Sequence, residues 1–156
     1  MFSTPITRAL LAWWLGVGLV LAAPVQAGLG QDAASVRADA ADLAGATELS
    51  DAADYRIAQI STDSGMRVRE FSNRAGVVFA VAWSGPAPPN LQRLLGAHYE
   101  AYAAAVAALD HPGRHRALRI ASPELVVELG GHLRAFAGRA YLPGRMPAGV
   151  SPAELR

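Results

Sequence analysis

The chain contains neither cysteine nor lysine. Without cysteine there are no disulfides, no thiol nucleophile, no thiolate metal site and no cysteine for lipid attachment, so any exported form must hold its core without covalent staples. Without lysine, every base is an arginine. Of the 14 bases only Arg8 lies ahead of the 13 acids, so the chain beyond it carries no net charge. A neutral body lacks the basic footprint that nucleic acid requires. Long apolar runs are also scarce. The one at Ala9–Ala23 is shorter than the roughly 20 residues a spanning helix needs, and Pro24 closes it.

What is present begins with a leader. Arg8, the Ala9–Ala23 run and the small-residue pattern Val25-Gln26-Ala27 form the three parts of a secretory signal. Cleavage is expected between Ala27 and Gly28. That leaves residues 28–156 as one domain, periplasmic or secreted, with no membrane span after cleavage.

The expected fold class is α+β: an antiparallel sheet of about six strands, read as two three-stranded meanders, with one main helix and one weaker N-terminal helix packed on it. The weaker helix is placed at Asp32–Leu43, with Asp32 as N-cap and Gly45 as C-cap. Strands are expected at Tyr55–Thr62, Met66–Ser72 and Val77–Trp83, joined by Asp63-Ser64-Gly65 and Asn73–Gly76. The third is the most strongly apolar. Its alternation assigns Val77, Phe79, Val81 and Trp83 to one face and Val78, Ala80 and Ala82 to the other. Asn90 is the expected cap of the main helix, which runs to Leu109 with Leu91, Leu94, Leu95, His98, Tyr102 and Val106 at helical spacing. Strands at Ala117–Ala121, Glu124–Leu129 and Leu133–Tyr141 follow. The last two are expected to meet across Gly130-Gly131-His132, which places Glu128 opposite Arg134 and His132 at the tip. The segment from Pro143 onward is expected along the surface. A shift of 58 positions sets Asp32 on Asn90, Glu70 on Glu128 and Trp83 on Tyr141, a weak echo of duplication.

Two blocks, VREFSNRAGVVFAVAWSGPAPPNLQRLLGAHYEAY (Val68–Tyr102) and ELVVELGGHLRAFAGRAYLPGRMPAGV (Glu124–Val150), with the Gly28-Leu29-Gly30 start, resemble domain-of-unknown-function family 2844. The resemblance implies an exported bacterial protein of this size. It brings no catalytic or binding residues to carry over.

The residues themselves offer few chemistries. His111 and His115 have a zinc-ligand spacing, but Pro112-Gly113 breaks the helix that would use it, so no metal and no cofactor are expected. His98 reads as a hydrogen-bonded core histidine, and His132 as an exposed tip residue. Neither a nucleophile elbow nor a phosphate-binding glycine loop occurs. The strand charges are Arg67, Arg69, Glu70, Glu128, Arg134 and Arg139. Of these, Arg69, Arg134 and Arg139 are candidates for an anionic ligand, against a solvated face of cross-strand ion pairs as the simpler reading. Trp83, Tyr99, Tyr102, Phe136 and Tyr141 read as core before cleft. The leading expectation is a non-enzymatic module that binds a protein or another envelope component. The alternative is a small periplasmic hydrolase using His132 or His98 with Glu128 or Glu70.

Overall fold

The computed structural model describes residues 28–32, 45–109 and 117–156. One antiparallel sheet holds strands β1 (Gly45–Asp51), β2 (Tyr55–Thr62), β3 (Arg67–Asn73), β4 (Val78–Gly85), β5 (Ala117–Ala121), β6 (Val126–His132) and β7 (Ala135–Tyr141), in the order β1-β2-β3-β4-β7-β6-β5. Helix α1 (Leu91–Leu95), a 3-10 turn (Gly96–His98) and helix α2 (Tyr99–Ala107) make one helical segment between β4 and β5. Asn90 caps it as expected, its Oδ1 accepting from the Arg93 amide at 3.1 Å.

The expected α+β fold with a second, N-terminal helix is therefore corrected, while the expected count of about six strands is close. Seven strands form one sheet, and the N-terminal helix is not found among the described residues. Asp32, expected as its N-cap, bridges to Val77, and 33–44 lie outside the described residues. The seventh strand is β1. Its residues 46–51 are all exposed, so it has no alternation of burial to betray it. It is held by backbone pairing with β2 from Gly45 opposite Thr62 to Asp51 opposite Arg56.

The two expected meanders are present as β2–β3–β4 and β5–β6–β7, and they join where β4 and β7 pair antiparallel. The echo does not survive at residue level. Glu70 alternates with Arg69 and Phe71 toward the helix, whereas Glu128 alternates with Val127 toward the opposite face.

Two apolar clusters sandwich the sheet. Val68, Val78, Val81, Trp83 and Val127 pack with Leu94, Leu95 and Tyr102 of the helical segment and with Leu29, which is 1% exposed. Phe71, Phe79, Val126 and Tyr141 pack on the other side, under Met146, Val150 and Leu155 of the C-terminal segment. A register shift between Phe71 and Ser72 re-sorts the faces expected for β4. Phe71 pairs Ala80 and Ser72 pairs Val78, so Phe79 is the extra residue of a bulge. Val78 thus joins Val81 and Trp83 on the helix side, and Phe79 joins Ala80 and Ala82 on the other. Trp83, Tyr102 and Tyr141 are core residues, and the sheet separates Tyr141 from the other two.

The β6–β7 hairpin also differs from expectation. Its turn is Leu133-Arg134, not Gly130-Gly131-His132, and His132 pairs with Ala135 inside the ladder. Arg134, the second residue of the turn, takes the left-handed conformation at φ 68°. The glycines serve the strand instead. At Gly138 a Cβ would stand 2.5 Å from the Trp83 ring and 2.6 Å from the Glu128 carbonyl oxygen. The resulting register sets Arg139, not Arg134, opposite Glu128.

Candidate functional site

Because the pairings are continuous from the β3–β4 bulge toward Arg67 and Ser84, side chains on the face away from the helix line up in rows across the strands. One row is apolar: Ile57, Phe71, Ala80, Tyr141 and Val126 are successive cross-strand partners. The next row is charged: Gln59, Arg69, Ala82, Arg139, Glu128 and Arg119 follow one another from β2 to β5. The third is small apart from one arginine: Ser61, Arg67, Ser84, Ala137, Gly130 and Ala117.

The C-terminal segment covers the first row and is tied to the second. Leu155 is 1% exposed among Phe71, Phe79 and Tyr141, a burial that stabilises by about 1.5–3 kcal/mol. Its turn (Pro152–Glu154) is closed by a capping box, with the Ser151 amide donating to Glu154 Oε1 at 2.8 Å and the Ala153 amide donating to Ser151 Oγ at 3.2 Å. Arg139 Nη1 then donates to the Pro152 carbonyl, and Arg69 Nη1 to the Arg156 backbone oxygen. The segment expected along the surface is thus the cover of a second core.

Within the charged row, Glu128 is held from both sides. Arg139 aims Nε and Nη2 at Oε2, at 2.7 and 2.6 Å, while Arg119 Nε reaches Oε1 at 3.0 Å. Burial pushes the Glu128 carboxyl up, but the hydrogen bonds and charges of Arg139 and Arg119 outweigh it and hold the group below its usual range. The same bond to Glu128 raises Arg119. A carboxylate so held is a weak proton acceptor. Arg69 is turned the other way, its Nε donating to Gln59 Oε1 at 2.9 Å.

The third row is left uncovered and opens as a groove of about 600 Å³. Ala82, Ser84, Ala137 and Gly130 form its floor, and Arg67 and Arg69 one wall. Glu128 and Arg139 stand opposite, and Leu155 and Arg156 close the end toward the apolar row. Four arginines face one acidic side chain among the lining residues. Arg67 is exposed and, among the described residues, makes no side-chain hydrogen bond or ion pair.

Of the residues singled out from sequence, Arg69, Arg139 and Glu128 are brought together here. Arg134 is not; it occupies the hairpin turn. His132 is exposed near the same turn, its Nδ1 3.2 Å from the Leu133 carbonyl oxygen. It lies four strand steps from Glu128, about 13 Å at strand rise. His98 is half-buried beside Gly30 on the helix side of the sheet, and Glu70 is 2% exposed on that side. His111 and His115 lie outside the described residues. Among the described residues no group of three or more histidines and acids could hold a metal ion. None of the described helices is long and apolar enough to cross a membrane. Sequence reasoning passed over one residue of the groove, Leu155 as its end wall. Arg67, counted there among the strand charges, has an i, i+2 spacing from Arg69 that puts both on one face of a strand.

Searches of the curated proteins and of the solved structures found no match. A family model, Protein of unknown function (DUF2844), matches residues 25–155, and the chain belongs to that family.

Proposed function

We propose that the protein is an exported, non-enzymatic module that binds another component of the cell envelope through the groove on its tail-covered sheet face. The observation that carries this reading is the uncovered third row. A sheet face whose first row is sealed by the chain's own C-terminal segment, itself tied to the second row, opens at the third into a groove of about 600 Å³, a size within the range of small-ligand sites. The groove is lined by guanidinium groups, two of them fastened at Arg69 and Arg139, rather than by a base poised for proton transfer. The leader supports export, since Arg8, the Ala9–Ala23 run and Val25-Gln26-Ala27 have the order of a cleavable signal.

The absence of cysteine makes a direct test clean. Ala137→Cys on the groove floor and Ala97→Cys on the helical segment are both at exposed positions. Each would be labelled with a photo-activated cross-linker and mixed with envelope extract. Adducts from position 137 and none from position 97 are expected. Equal adducts from both, or none from 137, would overturn the reading.

A further inference from the structure

We propose that the groove takes a small organic anion, a carboxylate or phosphate on an apolar body, with the oxyanion held by Arg67. This rests on the reading of the groove as a binding face. It deepens that reading by committing to the chemistry of the ligand.

Three observations lead there. The first is the distribution of donors. Arg139 spends Nε and Nη2 on Glu128 and Nη1 on the Pro152 carbonyl. Arg69 spends Nε on Gln59 and Nη1 on Arg156. Both are therefore structural fasteners. Arg67 stands two residues before Arg69 on the same face of β3, about 7 Å along the strand. It has no fastening role among the described residues, so its planar set of donors is available for an oxyanion.

The second is the neighbour across the strand. Arg67 pairs with Ser84, which is exposed at the groove floor. A hydroxyl beside a guanidinium supplies a further donor to the same oxyanion. The third is charge. Four arginines and one acidic side chain, Glu128, line the groove, and Glu128 is already held by Arg139, one of the four, and by Arg119 outside the lining. The surplus field is positive, while the floor at Ala137 and Gly130 carries no polar side chain and can take the apolar body of the ligand. A chain that is neutral beyond its leader has concentrated this surplus locally.

The test uses the full processed chain in solution and follows backbone amide shifts by NMR. Octanoate and octyl phosphate are the probes, and octanamide is their uncharged control. Octanoate, octyl phosphate or both should bind saturably with shifts centred on β3, β4 and β7, and octanamide should bind about tenfold or more weakly. The stronger of the two charged probes identifies the headgroup. Arg67→Gln should weaken the better probe by about tenfold with the thermal midpoint unchanged, while Arg134→Gln should leave it within about twofold. Octanamide binding as well as the anions, an Arg67→Gln variant with undiminished affinity, or no saturable binding by either anion would each overturn the proposal. Loss of binding together with loss of cross-linking from position 137 would fail the binding face as a whole. Loss of octanoate and octyl phosphate binding while those adducts persist would fail only the ligand chemistry.

Discussion

Arg139 and Glu128 sit directly opposite one another on β7 and β6, and two nitrogens of the guanidinium converge on a single carboxylate oxygen at 2.6 and 2.7 Å. The other oxygen is left for Arg119. Through Arg139 Nη1 the same pair fastens the C-terminal segment to the sheet, so one ion pair links the sheet, its cover and the wall of the groove. Its side chains are 24% and 28% exposed, which puts it between a surface pair of little worth and a buried one. Glu128→Ala should destabilise by about 1–3 kcal/mol in chemical denaturation, the range for hydrogen bonds to charged groups.

The pair also sets a pH dependence. The folded-state value of Glu128 lies below the 4.5 of the free group. Its contribution is fully present above that value and is lost as pH falls through the lower folded value. Wild-type stability should therefore decline as acid is added below about pH 4.5. Glu128→Gln should be less stable at neutral pH and show a shallower decline, measured as urea midpoints between neutrality and acid. Parallel slopes in the two proteins would contradict this origin.

Leu155 is a test of the second core. Leu155→Ala should cost about 2–5 kcal/mol, as for a fully buried leucine. The accompanying change should be faster amide exchange at Ala153 and Glu154, while α1 and α2 remain protected. A surface-like loss of a few tenths of a kcal/mol would mean that the segment does not seal the face.

Gly138 tests the close approach of Trp83. With a Cβ 2.5 Å from the ring and 2.6 Å from the Glu128 carbonyl oxygen, Gly138→Ala forces two strands apart. It should cost at least about 1–3 kcal/mol in thermal or chemical unfolding. Trp83→Ala, which removes the ring itself, should cost about 3–5 kcal/mol. The double variant should be better than additive, because the ring that the new methyl meets has gone.

Much of this fold can be read from sequence where burial imposes a pattern. The Val78–Trp83 run and the Asn90 cap are such places, since a continuous apolar run and a polar cap each have a local physical cause. β1 has none, because both of its faces are exposed and it is held by backbone pairing and the exposed Arg56–Asp51 ion pair. The β6–β7 register is missed for the opposite reason. Gly130-Gly131 looks like a turn, but both lie in the β6 ladder, where Gly131 accommodates the close approach of the Ala135 backbone, and Arg134 supplies the left-handed residue. That register decides the site. Arg69, Arg139 and Glu128 can each be named from sequence, yet which arginine meets Glu128 depends on a hairpin offset that composition does not encode. Leu155 lies in a proline- and glycine-rich stretch whose burial follows from the apolar row waiting for it across five strands.

The central claim is that the uncovered row is the working surface. Ala137 is exposed on the groove floor, so Ala137→Arg fills the groove without disturbing either core. Co-sedimentation with envelope fractions, run beside a thermal melt, tests the claim most directly. The wild-type protein should sediment with the envelope, and Ala137→Arg should stay in solution with its melting temperature within about 2 °C of wild type. A folded Ala137→Arg protein that sediments as wild type does would contradict it.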